Sequence, residues 1–374
     1  MALPTTITGI NTSPACIGPF ISSGGNVYLI GYTGSKPQAQ KATDPTTSFS
    51  AVGTDPTPGG TGLIVTLAAY QVGDTIHVAG GRGGTGATYF YLTFDMSSDA
   101  WVLNETIITG INPFTSTSAD PTAISLVVRS GGEVDAFFNG ARVANMGNSY
   151  AQTYYSRRTG VNTWSAATQV SAGGQVDYIS PEAVLGVSDR VQFAFNDIIG
   201  HVYNRRALTS ANVLQTVQTS AVTIVSGFSG ISYDNGGTQK DIVGYDVSSN
   251  VVADKFNDGD TPAISGTTVQ ATDTMPVRIF NDGTTAYCIY RGSADSDLYV
   301  ETSNDNGATW TGRTSIFTGT VAGADANLSI DGNIFTRGSS VVIPYVVNDN
   351  GTLKYNEYVV RTIVSDILFA QSVM

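Results

Sequence analysis

Leu298–Gly312 reads LYVETSNDNGATWTG, and the run TGRTSIF follows from Thr311 to Phe317. Both flanks alternate apolar and polar residues, the period of a half-buried strand, so the stretch predicts strand, tight turn, strand. The turn has its own chemistry. The short carboxylate of Asp305 can accept backbone N–H bonds, Gly307 permits a left-handed backbone, and Trp310 supplies a large apolar plug. Such a turn holds two strands together; it is not built to bind a ligand.

Working outward, the same apolar strand, Gly/Asp turn and second strand recurs along the chain. Copies read ACIGPFISSGGNVYLIGY (15–32), LIVTLAAYQVGDTIHVAGG (63–81), AISLVVRSGGEVDAFFNG (123–140) and EAVLGVSDRVQFAFND (182–197). Three more follow as GISYDNGGTQKDIVGYDV (230–247), PVRIFNDGTTAYCIYRG (276–292) and GNIFTRGSSVVIPYVVND (332–349). Their spacing, roughly 40 to 60 residues, is that of propeller blades. Two further strand-like runs between copies complete four antiparallel strands per blade. The expected fold is therefore all-β: one β-propeller over residues 1–374, of seven blades with six as the alternative, in which residues 1–10 complete the last blade. No helix-length amphipathic segment is present, which excludes a doubly wound α/β fold. Gly/Ser/Thr clusters such as TDPTPGGTG recur at turns and mark no domain boundary.

Composition agrees and narrows the function. Only 13% of residues are charged, 42 are glycine, and the net charge is −12 with 18 lysines and arginines. So acidic a chain offers no continuous basic surface for nucleic acid or an anionic membrane. The amino terminus lacks the basic start and apolar core of a signal peptide, and no apolar run is long enough to span a bilayer. Cys16 and Cys288 stand far apart in apolar strand-like contexts and are expected as reduced, buried thiols. His77 and His201 are isolated, which argues against a zinc site. No cofactor is expected; calcium at the acidic loops FNDGD (256–260) and SADSD (293–297) is the alternative to solvated turns.

At Ser303, Asp305, Gly307, Thr309 and Trp310 the chain matches every fixed position of Ser-x-Asp-x-Gly-x-Thr-Trp, and so resembles the Asp-box, or BNR, repeat of sialidase-like β-propellers. Weaker echoes are ATDPTTSF (Asp44, Ser48, Phe49), FDMSSDAW (Asp95, Trp101) and SRRTGVNTW (Ser156, Gly160, Thr163, Trp164). The resemblance implies that the motif joins the third and fourth strands of a blade, away from the ligand-binding mouth, with a structural role. It also raises the question of sialidase chemistry. The family's early Phe/Tyr-Arg-Ile-Pro motif is absent, since no arginine precedes Arg82, and this argues against that activity.

Other propeller glycosidases set carboxylates around the central channel, because glycoside hydrolysis needs an acid and a nucleophile or base. Asp120, Glu182 and Asp273, in SADPTAI, SPEAV and TDTMPVRI, precede predicted inner strands and form the best catalytic set. Acids at strand entries are also ordinary turn chemistry. No Gly-x-Ser-x-Gly elbow accompanies the two histidines, so nucleophilic serine chemistry has no support.

Sugar binding needs rings to stack on and planar polar groups to read hydroxyls. Tyr154, Tyr155, Arg157 and Arg158 in YAQTYYSRRTG, with Tyr203, Arg205 and Arg206 in HVYNRRAL, are the candidates. Composition also resembles that of bacteriophage tail, fibre and head-decoration proteins. The expectation is a non-enzymatic structural or adhesive propeller on a virion, with other virion proteins or copies of itself as partners and host-surface glycan as ligand. The alternative is a glycoside hydrolase using Asp120, Glu182 and Asp273.

Overall fold

A computed structural model describes residues 3–11, 16–34, 36–59, 63–82, 88–109, 124–141, 151–170, 178–186, 189–197, 202–208, 214–223, 226–235, 238–247, 250–256, 262–271, 273–282, 284–321, 328–329 and 334–362. In the fourth and fifth sheets, side chains are described at few positions. The chain is all-β and folds as a β-propeller. Its described strands form seven antiparallel sheets, six with their strands in chain order and the seventh with the amino-terminal strand at its outer edge.

The first sheet runs Ile17–Ile21, Val27–Thr33, Lys36–Ala42, Ser50–Val52; the second Ile64–Val72, Thr75–Arg82, Thr88–Asp95, Ala100–Thr109. The third comprises Ile124–Val128, Val134–Ala141, Ala151–Gly160 and Thr163–Trp164, with Thr168–Gln169 beside its third strand. The fourth runs Tyr178–Leu185, Val191–Asp197, Val202–Leu208, Leu214–Thr223, and the fifth Ser226–Asn235, Thr238–Val247, Asn250–Phe256, Pro262–Ala271. The sixth runs Thr274–Asn281, Ala286–Arg291, Leu298–Ser303, Thr311–Phe317. The first six repeats read from the sequence fall on the first two strands of one sheet each, and the seventh falls on Phe335–Arg337 and Ser340–Asp349. The hairpin turns follow local chemistry: Asn350 and Gly351 take φ of 47° and 84°, the paired positive angles of a two-residue Asn-Gly turn.

The seventh sheet is built from both ends of the described chain. Ser340–Asp349 and Thr352–Thr362 pair with each other, Leu328–Ser329 and Phe335–Arg337 lie on the inner side, and Thr5–Thr6 adds the outer strand. Thr5 and Thr6 face Tyr355 and Lys354, and the Ile7 N–H donates to Leu353 O at 2.8 Å. First strands of the first to sixth sheets lie side by side in order, and Leu328–Ser329 of the seventh returns to Ile17–Ile21, as closure of a ring requires.

The apolar clusters occupy the seams between sheets. Tyr28 and Ile30 pack with Val78, Phe90 and Phe94 between the first and second; Tyr89 and Tyr91 with Leu126 and Phe138 between the second and third. Ile289 and Val300 meet Ile343 and Tyr345 between the sixth and seventh, and Val27 and Leu29 meet Val346 and Tyr355 where the seventh meets the first. Both faces of a sheet are thus covered, which explains why strands such as Tyr89–Phe94 are buried throughout rather than alternating. Cys16 and Cys288 are buried and unpaired in two different seams. Burial pushes the Cys16 thiol up to about 12.

Polar clamps join the hairpins between first and second strands. Asp74, in the second sheet's hairpin, takes the Ser23 N–H at 2.6 Å and the Ser23 hydroxyl at 2.5 Å from the first sheet's hairpin. Asp189, in the fourth, holds Ser130 of the third in the same two-pronged way, at 2.9 and 2.5 Å. A carboxylate in one hairpin thus replaces water for a serine in the preceding one.

Candidate functional site

Ser303–Trp310 links the third and fourth strands of the sixth sheet. Asp305 Oδ1 accepts from the Ser303 hydroxyl (2.8 Å) and the Thr309 N–H (2.8 Å), while Oδ2 accepts from the Thr309 hydroxyl (2.7 Å). Ser303 Oγ in turn accepts the Gly307 N–H at 2.7 Å, and Gly307 sits at φ +82° with its Cα against Ile242. The side chains of Ser303, Asp305 and Thr309 thus serve the turn, while Asn304 Oδ1 accepts from the Thr285 hydroxyl of the neighbouring hairpin at 2.9 Å. Trp310 packs into the seam with the fifth sheet.

The weaker echoes occupy the equivalent hairpin. Asp44 accepts from the N–H and hydroxyl of Thr46 in the first sheet, and Asp95 from the N–H and hydroxyl of Ser97 in the second. Phe49, Trp101 and Trp164 then enter the seam with the preceding sheet, as Trp310 does. One architectural rule covers all four: carboxylate or hydroxyl turn, then an aromatic wedge against the previous sheet.

Hydrogen bonds from the Thr309 hydroxyl and the Thr309 N–H hold the Asp305 carboxyl down to about 2, from an ordinary 3.8. A depressed folded-state value gives stabilisation that is present above the unfolded value and lost as pH falls through the folded one. Asp305→Ala is expected to cost about 1–2 kcal/mol at neutral pH, as loss of a comparable carboxylate cap does. The deficit against the parent chain should shrink between pH 4 and 2 in urea melts; a deficit equal at pH 7 and pH 2 would refute the assignment.

Tyr154, Tyr155, Arg157 and Arg158, expected as a sugar platform, alternate across the third strand of the third sheet and enter two different seams. Arg157 donates to Asp135 from Nε (2.7 Å) and a terminal nitrogen (3.0 Å), and the Tyr155 hydroxyl donates to the same carboxylate at 2.9 Å. Arg129 Nε donates to Asp135 Oδ2 at 2.6 Å. On the opposite face Arg158 forms a two-pronged pair with Glu105 of the second sheet (2.9 and 2.7 Å), and the Trp164 indole donates to Glu105 at 3.0 Å. Burial would raise the Glu105 carboxyl, but Arg158 and Trp164 outweigh it and hold it low. Tyr154 lies in the same seam, its ring 6.3 Å from that of Phe138. These side chains join sheets, because strand alternation sends them to opposite faces. Tyr203, Arg205 and Arg206 stand on the third strand of the fourth sheet, facing Asn196, Ala194 and Phe193 in register; their side chains lie outside the described part.

Beside Glu105 and Arg158, the His77 ring nitrogen lies 2.6 Å from the Tyr91 hydroxyl. Burial, with Arg158 nearby, pushes His77 down to about 4, so it is neutral at physiological pH. Nothing in the sequence around His77 signals this arrangement.

Of the three candidate acids, Asp120 lies outside the described residues. Glu182 stands on the first strand of the fourth sheet opposite Ala194, with its side chain undescribed. Asp273, just before the first strand of the sixth sheet, is 3% exposed. Its Oδ1 accepts the Ser293 N–H at 3.0 Å, and Oδ2 lies 2.9 Å from Arg313 in an ion pair too oblique to be a hydrogen bond. Arg313 itself lies over the Tyr299 ring, 3.9 Å from its centroid. Asp273 is thus buried and held by Ser293 and Arg313.

The acidic loop 293–297 is also internally committed. Asp295 accepts from the Asp297 N–H and the Tyr299 hydroxyl, and Asp297 accepts the Gly319 N–H. Among the described residues no group of three or more His, Cys, Asp or Glu is placed to hold a metal. Residues 257–260 of the other loop lie outside the description.

No protein-family model and no curated protein matches the sequence. Solved structures match in fold. An α-L-arabinanase of Penicillium chrysogenum, complexed with arabinobiose, has a TM-score of 0.50 and 10% identity over 81% of this chain and 98% of its own. The α-L-arabinofuranosidase Arb93A of Fusarium graminearum, in complex with an iminosugar inhibitor, gives 0.50 and 9% over 80% and 96%. A protein of unknown function from Dyadobacter fermentans gives 0.51 and 10% over 79% and 94%. At such identities the likeness is one of fold, and function has to be argued from sites.

Proposed function

We propose that this chain is a non-enzymatic, glycan-directed β-propeller that serves as a structural or adhesive module of a bacteriophage virion, in its tail, fibres or head decoration. The seven sheets read as seven blades, and Ser303–Trp310 as an Asp-box. The glycan half of this reading is supported by the fold's likeness to an arabinanase complexed with arabinobiose. The non-enzymatic half rests on one observation: Asp273, the candidate acid whose side chain is described, is buried and ion-paired with Arg313. Its partners are other virion proteins or copies of itself, a reading supported by an acidic, sparsely charged, glycine-rich composition.

The second reading, a glycoside hydrolase acting through the mouth carboxylates, is favoured by the same fold likeness. One experiment separates the two. The purified chain is incubated with arabinan and with host-surface polysaccharide, and retention and release of reducing ends are both measured. Retention without release is expected; release that disappears in Asp273→Asn would establish the hydrolase instead. Mass spectrometry of gradient-purified particles should find the chain, and its absence would remove the virion assignment.

A further inference from the structure

A cleft of about 390 Å³ opens at the seam of the sixth and seventh sheets, lined by Asn281, Asp282, Phe335, Thr336, Val341 and Arg361 among others. It lies beside the hairpin that joins the first and second strands of the sixth sheet, on the side away from the mouth. Its size is that of a small-molecule site, and its lining combines apolar side chains with one carboxylate and one guanidinium.

The two oxygens of Asp282 do different things. Oδ1 accepts the Thr284 N–H, the Thr284 hydroxyl and the Thr285 N–H at 3.0, 2.8 and 2.8 Å, which fixes the hairpin. Among the described residues Oδ2 accepts only the Tyr287 hydroxyl, at 3.1 Å, and it lies 3.8 Å from a terminal nitrogen of Arg361. That separation is too long for a hydrogen bond. The Arg361 side chain is 62% exposed and donates to no described residue, so its donors are turned to solvent at the rim.

We infer that this cleft is a saccharide subsite, which takes adjacent hydroxyls of a neutral sugar between Asp282 Oδ2 and the Arg361 guanidinium, with Phe335 and Val341 as its apolar side. The chemistry is complementary. One hydroxyl donates to the carboxylate, its neighbour accepts from the guanidinium, and the opposite charges of the pair leave a net neutral site. Sugar carbons gain contact with the Phe335 ring, whose other neighbour is the Arg337 guanidinium, 5.4 Å from the ring centroid. The inference rests on the glycan reading above and adds to it a second place of contact, far from the mouth.

Methyl glycosides of arabinose, galactose, glucose and mannose are the probes, titrated by calorimetry and by saturation-transfer NMR against the full chain. Arg361→Ala removes an exposed side chain with no packing role, and Thr336→Trp obstructs the cleft from an exposed position. Both variants should keep the parent melting temperature. Binding of at least one glycoside by the parent, weakened about tenfold or more in Arg361→Ala and abolished in Thr336→Trp, is the expected result. A parent that binds while both variants bind equally well overturns the subsite and leaves the glycan reading standing. A parent that binds none of the probes and no polysaccharide overturns both.

Discussion

Asp135→Ala is expected to lower the unfolding free energy by about 3–5 kcal/mol, the loss typical when one member of a buried ion cluster is removed. Asp135 is fully buried and receives donors from Arg129, Arg157 and Tyr155. The side chains of Arg129 and Arg157 are only 3% and 11% exposed. Truncation therefore strands two guanidinium groups in a low-dielectric seam, where neither can recover its hydration. Arg129 also donates to Asp189 O at 2.6 Å, so the damage reaches the clamp between the third and fourth sheets. Asp135→Asn keeps the shape and one acceptor but no charge, and should fall between parent and alanine. Replacing Arg129, Asp135 and Arg157 together by apolar residues of similar volume should restore much of the loss. Urea melts read all three, and a loss below about 1 kcal/mol for the alanine variant would show the cluster to be solvated.

That cluster also shows where the sequence stops being legible. The strands could be read because their signal is local: period-two alternation, Gly/Asp turns, and a repeat that returns at blade spacing. The Ser303–Trp310 turn could be read for the same reason, since Ser303, Asp305, Gly307 and Thr309 bond to one another within a few residues. The arginines of YAQTYYSRRTG could not. Arg158 meets Glu105 across 53 positions of chain, on another sheet, and no local pattern marks that carboxylate as its partner. Four polar and aromatic residues in an acidic chain therefore looked like a binding surface, whereas alternation sends them to opposite faces and into two seams. Asp282 and Arg361 failed to stand out for the complementary reason, since each is an ordinary turn or strand-end residue until the seventh sheet brings them together. The mouth stays least legible: Asp120 lies outside the described residues, and neither Glu182, on a strand, nor Asp273, at a strand entry, carries a local pattern that marks a catalytic role.

Deleting residues 1–10 is expected to open the ring and make the chain aggregate more readily than its parent. Thr5–Thr6 is short, but it covers the outer edge of Thr352–Thr362, a strand of 11 residues. The segment is held by several independent contacts. Ile7 is 5% exposed within the seam of the seventh and first sheets. The Thr5 hydroxyl donates to Pro45 O at 2.5 Å, the Ile7 N–H to Leu353 O, and the Gln40 amide to Thr8 O at 2.7 Å. Burying one isoleucine contributes about 2 kcal/mol and each net hydrogen bond about 1, so the segment as a whole stabilises closure by about 5 kcal/mol. Its loss also uncovers a row of unpaired backbone groups, the template on which sheet edges associate. Chromatography should show oligomers at micromolar concentration, and the thermal transition should fall by several degrees. Adding a synthetic peptide of residues 1–11 should restore the parent's elution, because the edge it would fill belongs to an intact sheet. Ile7→Asp, which keeps the backbone and places a charge in the seam, should weaken closure without removing the strand, and so should lower the melting temperature with less association. If the truncated chain elutes as the parent does and melts within about 2 °C of it, the amino-terminal strand is not what closes this propeller.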